Sequence, residues 1–277
     1  MTLAVTPDTV PEPLHVHLHQ SAIRQTLALA RRSLLGRLRQ PAVLAPSFVF
    51  PLFFAALSAS SYSRVKNAPG FPKVDSFLQF GLAAAIMQGA FFGATSAAAD
   101  LAVDIEQGFW ERLMASPVRR TSIVIGRLMS SFVIGALQSA VFIGILAVFG
   151  VRIRSGPIGV LVIVLSASLV SLAMSTLMST FAIKTGSPEV VQGMFPLVFV
   201  MMFLSSTFMA RELMNGWFRR VVDINPISYL AEGIRGFVIE RPLTGWRFFE
   251  ALAIPAIGCV LALGLCLRAL RRRLAQM

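Results

Sequence analysis

The chain has 277 residues, of which 56% are hydrophobic and 14% charged, with mean hydropathy +0.73 and net charge +12. A soluble domain of this length needs more charge to cover its surface, so the composition excludes an ordinary soluble fold and makes membrane embedding the default. The positive balance alone would suit nucleic acid, but the arginines flank apolar runs, where the positive-inside rule and anionic headgroups place them, and this argues against such a partner.

Residues 1–19 read as a flexible polar tail with Pro7, Pro11 and Pro13 and no apolar core of a signal peptide. His15, His17 and His19 alternate in this tail, but no second ligand cluster accompanies them and no metal is expected. The segment 20–40 reads as an amphipathic helix with Ile23, Leu27, Ala30, Leu34 and Leu38 on one stripe and Pro41 at its end. Such a helix is expected to lie in the membrane interface. Six membrane helices follow, at about 42–60, 76–103, 122–150, 158–183, 189–209 and 248–267, the second and third longer than a ~30 Å hydrocarbon core requires. Pro46, Pro51, Pro196 and Pro255 are candidate kinks in the first, fifth and last. In the second span, Gly81, Ala85, Gly89, Gly93 and Ala97 recur every four residues, a groove in which another helix can approach closely.

Between the second and third spans lies DIEQGFWERLMASPVRRT, residues 104–121, a charged stretch between two greasy ones. Residues 104–116 fit a short helix with Ile105, Phe109 and Leu113 at i, i+4 spacing and Trp110 beside them, suited to the membrane surface. Gly108 weakens that helix by about 1 kcal/mol relative to Ala, and Ser116, preceding Pro117, is pushed out of helical geometry. Glu106, Glu111, Arg112, Arg119 and Arg120 are left for a partner outside the membrane or, more simply, for water.

An even number of spans puts both termini on one side. The arginine-rich flanks 24–39 and 268–273, together with Arg112, Arg119 and Arg120, assign that side to the cytoplasm, although the 210–247 segment opposite carries six arginines of its own. The span interiors lack ionisable residues: Asp100, Arg127, Glu189 and Glu250 all fall near predicted ends, which counts against an ion-coupled carrier. Only Lys66, Lys73 and Lys184 are lysines, and none belongs to a phosphate-binding loop, so this chain binds no ATP itself. No hydrolase or metalloprotease motif is present, and Cys259 and Cys266 share one helix face too far apart to bridge.

Two motifs carry a resemblance. Glu106-x-Gly108, Glu111, Ser116-Pro117-Val118 and Gly126-Arg127, and far downstream Asn225-Pro226, Ser228-Tyr229, Glu232 and Arg235, resemble the ABC-2-type permeases, the membrane subunits of ATP-binding-cassette exporters such as the daunorubicin-resistance type. Phe109 departs from that pattern, where a Thr is common, and Trp110 stands where a smaller apolar residue is usual. The resemblance implies an all-α integral membrane fold in which residues 20–277 form one transmembrane domain, and it makes 104–116 a coupling helix. Glu106, Gly108, Phe109, Trp110, Glu111, Arg112, Ser116, Pro117, Arg119 and Arg120 would then meet a separate ATPase subunit that holds ATP and Mg. It also implies short helices dipping back from the outer face over 210–247, with Trp217 and Trp246 as anchors, and a second permease subunit, identical or related. The expected function is efflux of an amphiphile (a drug, lipid or glycan-lipid) across a bacterial inner membrane. A partner-independent channel or carrier, and a non-transporting scaffold, are the alternatives. No residue is assigned to substrate.

Overall fold

The computed structural model describes residues 22–116, 118, 120–240 and 244–275, and among these every regular element is helical. The histidine tail, Pro117 and Arg119 lie outside the described residues, as does the side chain of Arg120. In chain order the helices are α1 (Ala22–Leu38), α2 (Pro41–Ser61), α3 (Phe77–Glu106), α4 (Phe109–Met114), α5 (Arg120–Val148) and α6 (Gly156–Thr185). They continue with α7 (Pro188–Gly193), α8 (Phe195–Phe203), α9 (Gly216–Ile224), α10 (Pro226–Ile239), α11 (Gly245–Phe248) and α12 (Ile254–Leu274).

Five helical stretches are long and apolar enough to cross a membrane: 41–61, 77–106, 121–148, 156–185 and 245–273. The sixth expected span, 189–209, instead forms the two short helices α7 and α8. Pro196 starts α8, and Ser205, Ser206 and Thr207 end it in turns rather than in helix. These two helices still carry the chain from one end of the bundle to the other. A Cβ built on Gly186 would lie 3.2 Å from Ile105 near the C-terminus of α3, whereas Ser206 is tied to Arg235, which stacks on Phe80 near the α3 N-terminus. Phe80 and Ile105 are 25 residues apart on a helix that rises 1.5 Å per residue, about 37 Å.

α3 is the central post, packed against α2, α5, α6, α7 and α10 and mostly buried. Its Ala- and Gly-rich sequence permits this, since small residues let helix backbones approach where lipid offers no hydrophobic drive between them. The four-residue groove serves this packing inside the chain. A Cβ on Gly89 would sit 2.7 Å from both Gln138 Cδ and the Phe142 ring of α5, and Ala85 is fully buried, but Gly81 has no neighbour that close. The space at Gly89 has a use. Pro51 has no N–H to give the carbonyl of Ser47 one turn back, and Gln138 Nε2, lodged against Gly89, donates to that carbonyl at 2.6 Å. α2 runs unbroken through both Pro46 and Pro51.

The last span is continuous but not uniform: five residues, Phe249–Ala253, form a π turn between α11 and α12. Pro255 follows it, and the wider turn accommodates a ring that would otherwise crowd the carbonyl four residues earlier. α12 packs chiefly on α6, with Cys259 Sγ donating to Leu169 O at 3.2 Å and Cys266 buried; both thiols are free. α1 rests on α5, where Gly126 brings the helices so close that a Cβ there would meet Leu29 and Thr26 O at 2.8 Å. Its expected apolar stripe points the other way: Ile23, Leu27 and Leu38 are exposed, while Ala30 and Leu34 are half-buried.

Candidate functional site

The 104–121 segment is built differently from the single helix expected over 104–116. Asp104, Ile105 and Glu106 are the last turn of α3, and the chain breaks at Gly108, whose φ of 67° is open to glycine at no steric cost. α4 then starts afresh at Phe109, so the Ile105–Phe109–Leu113 spacing straddles two helices and forms no stripe on one. Ser116 Oγ donates back to Leu113 O at 2.6 Å and helps end α4.

The side chains sort into an inner and an outer set. Trp110, expected at the lipid surface, is 2% exposed and packs in a cluster with Ile105, Met114, Ile123, Val124, Ile183 and Leu270. An aromatic ring at a helix–loop junction satisfies the same spacing rule whether lipid or protein covers it, and here four long helices do. Glu111 also turns inward, accepting from Arg273 Nη2 at 3.3 Å, while Arg273 Nη1 donates to Ile183 O at 2.8 Å. One C-terminal arginine thus ties α4 and the end of α6 to α12. Phe109 carries the guanidinium of Arg32 over its ring at 4.7 Å, which ties α4 to α1. Glu106, Gln107, Arg112 and Ala115 are exposed. Arg112 Nε reaches Gly108 O at 3.3 Å, leaving most of its guanidinium to solvent.

Behind α4 lies a cavity of about 430 Å³ between α1, α3, α4 and α5. Two ion pairs line it, Arg37–Asp100 at 3.6 Å and Arg127–Asp104. Asp100 and Arg127 are among the charges the sequence places near span ends, and each of these two acids on α3 has found a cation on a neighbouring helix. Burial pushes the Arg37 guanidinium down to about 10, with Asp100 opposing the shift, so it remains a cation at neutral pH. Arg32, Arg37 and Arg273 were legible only as positive-inside charge, since nothing local in the sequence names their partners.

At the opposite end, the downstream motif proves to be a lock on irregular backbone. Asn225 caps α10 by accepting from Ile227 N at 2.9 Å, and its Nδ2 donates to Met201 O and Leu204 O, both at 2.8 Å, where α8 ends. Ser228 Oγ donates to Val222 O at 2.7 Å and receives Ser206 N at 3.2 Å; Tyr229 donates to Asp223 O at 2.7 Å. Glu232 pairs with Arg211 at 2.9 Å. Arg235 donates to Ser206 O and Thr207 O at 2.9 and 2.8 Å from a position 3.7 Å above the Phe80 ring. Pro226 opens α10, where a missing N–H costs nothing.

Two glycines that the sequence reading passed over complete this end. A Cβ on Gly233 would fall 2.6 Å from Ala251 N in the π turn, and one on Gly236 would fall 2.7 Å from Arg247 Cδ. Isolated glycines three residues apart within a helix were the available signal. Trp217 and Trp246 are exposed, as anchors of an interface need to be.

Comparison with known proteins agrees with this architecture. Residues 24–239 match the family model described as ABC-2 type transporter. A probable doxorubicin resistance ABC transporter permease protein, DrrC of Mycobacterium tuberculosis, is 27% identical over 154 residues, 56% of this chain and 56% of that protein. The daunorubicin resistance ABC transporter permease protein DrrB1 of Streptomyces coeruleorubidus is 25% identical over 216 residues, covering 78% of this chain and 75% of its own length. A putative transport permease, ycf38 of Porphyra purpurea, is 26% identical over 235 residues, covering 83% and 78%. The alignment thus spans little more than half of DrrC and about three quarters of the other two. With a family match that runs from α1 to the end of α10, and five helices long and apolar enough to cross a membrane among the described residues, the chain belongs to the ABC-2 type transporter family, as a multi-pass membrane protein.

Proposed function

We propose that this chain is the permease subunit of an ATP-driven exporter, moving an amphiphile outward while a separate ATPase docks on the 104–121 segment. The observation that carries this is the double character of α4. Its inner face is tied to α1 through Arg32, to α12 and α6 through Arg273, and to the core through Trp110, whereas Glu106, Gln107, Arg112 and Ala115 face away. A displacement applied to that outer face is passed to several long helices at once. The docking contact therefore centres on Glu106 and Arg112, with Arg119 and Arg120 beside them in sequence, and Trp110 and Glu111 act from behind. ATP and Mg belong to the partner, two copies of which would serve two permease subunits.

In this reading α1, α4 and the end of α12 share the cytoplasmic side, and the exposed Ile23, Leu27 and Leu38 of α1 rest in the inner-leaflet interface. α7 and α8 form a sixth, interrupted crossing, whose non-helical turn tolerates membrane depth because protein donors cover it.

Affinity purification of the tagged chain from its host membrane tests the proposal. A P-loop ATPase should co-purify, and transport in vesicles should require hydrolysable nucleotide. Conduction by the purified chain alone would establish a channel instead, and neither partner nor transport would leave a scaffold.

A further inference from the structure

We infer that the polar pocket at the α10 end of the bundle binds a phosphate-bearing ligand, with Arg235 and Lys73 as its principal cations. The pocket has a volume of about 420 Å³, within the range of small-molecule sites, and five cations line it against three acids. Three of those cations are already matched. Arg154 pairs with Asp75 at 2.9 Å, Arg211 with Glu232 at 2.9 Å, and Arg247 with Glu240 at 2.5 Å.

The other two are not. Arg235 is 6% exposed, yet among the described residues no carboxylate lies within 4.0 Å of it. Two carbonyls, Ser206 O and Thr207 O, take its Nη2, and its buried Nε meets no acceptor. Arg211 Nη2 is likewise buried without an acceptor. Lys73 is exposed at the rim and forms no ion pair among the described residues.

A buried guanidinium with unmet donors is costly to keep unless something supplies oxygen. Water could do so one bond at a time. A phosphate supplies several acceptors and negative charge together, and can meet the guanidinium donors that Ser206 O and Thr207 O leave free. Glu212 also lines the pocket and is exposed, and its charge opposes a bare anion. Five cations face three acids on the lining itself, with Asp75, Asp223 and Glu250 pairing with Arg154, Arg211 and Arg247 from outside it. The pocket lies about 45 Å from α4, at the other end of the 30-residue α3, so occupancy need not disturb the proposed docking face.

The phosphate has two possible sources, a lipid headgroup and a soluble ester. Isothermal titration of the full chain, delipidated in maltoside micelles, distinguishes them with glycerol 3-phosphate and short-chain phosphatidylglycerol as probes. At least one should bind saturably at one per chain. Tenfold tighter binding of the lipid assigns a headgroup site, and equal or tighter binding of the ester assigns a soluble ligand. Lys73→Gln should weaken binding about 3–10-fold and Arg235→Lys about 10–100-fold, the latter because one ammonium cannot hold Ser206 O and Thr207 O and still donate to the ligand. If Arg235→Lys fails to run as a single species, Lys73→Gln and Lys73→Glu carry the test, since Lys73 is exposed. No binding by either probe, or binding that Lys73→Glu leaves at the wild-type level, overturns the inference. The titration contains no nucleotide and no ATPase, so its failure leaves the exporter reading untouched.

Discussion

Replacing Asn225 by Ala removes three hydrogen bonds that one side chain makes in three directions: the α10 cap to Ile227 N, and the donations to Met201 O and Leu204 O. Loss of an N-cap costs about 1 kcal/mol. A side-chain hydrogen bond in a membrane protein averages about 0.6 kcal/mol, and stripping the donor from a buried carbonyl raises the cost to about 1–3 kcal/mol. With Asn225 itself 4% exposed, water has little access to repair the loss. Asn225→Ala should therefore destabilise the fold by about 2–5 kcal/mol. Asn225→Ser keeps the cap acceptor without the amide donors and should recover about 1 kcal/mol of that. Unfolding by increasing SDS in mixed micelles, followed by far-UV circular dichroism, reads both values. If Asn225→Ala unfolds within about 0.5 kcal/mol of wild type, the lock on the end of α8 does not exist as described, and if Ser and Ala are indistinguishable, the α10 cap does not.

Three further outcomes follow from the packing. Gly89→Leu forces side-chain atoms into Gln138 and Phe142 and displaces the donor to Ser47 O, so it should cost about 1–3 kcal/mol or more in the same SDS titration. Arg112→Glu changes only the exposed face of α4 and should weaken ATPase capture while unfolding stays at wild type; unchanged capture would move the docking contact elsewhere. Glu111→Arg sets like charge against Arg273, so it should uncouple ATP hydrolysis from efflux in vesicles, and the reciprocal swap with Arg273→Glu should restore part of the coupling. The pair itself is partly exposed and worth no more than about 1 kcal/mol, so both variants should fold.

Much of the architecture was legible in the chain. Four of the long helices begin and end within three residues of the spans read from hydropathy, because an uninterrupted apolar run has few alternatives in lipid. The run 189–209 is as apolar as the others, and hydropathy cannot see that its end is not helical. Ser205, Ser206 and Thr207 leave the helix because donors arrive from Asn225 and Arg235, some 20–30 residues away, and such pairing has no local signature. From sequence Gly108 is a weak point in one helix, whereas its left-handed φ makes it the boundary between two. Sequence alone points Trp110 to the membrane surface and Glu111 to a partner, because an aromatic and a charge on a short helix beside a membrane normally face those ways. Arg273, which turns Glu111 inward, sits 162 residues downstream.

The π turn at Phe249–Ala253 acts on everything after it. An added residue in a helix advances the phase by about 100°, so this one turn decides which edge of the final 21-residue helix looks toward α6. Cys259, Cys266 and Arg273 all depend on that phase, and Gly233 holds it by pressing backbone against backbone at Ala251. Deleting a single residue between 249 and 253 would shorten the span by only one residue and leave every motif intact, yet swing Arg273 away from Glu111 some 30 Å further along. The angular setting of the last helix, fixed at one end of the bundle, is thus what keeps its other end in register.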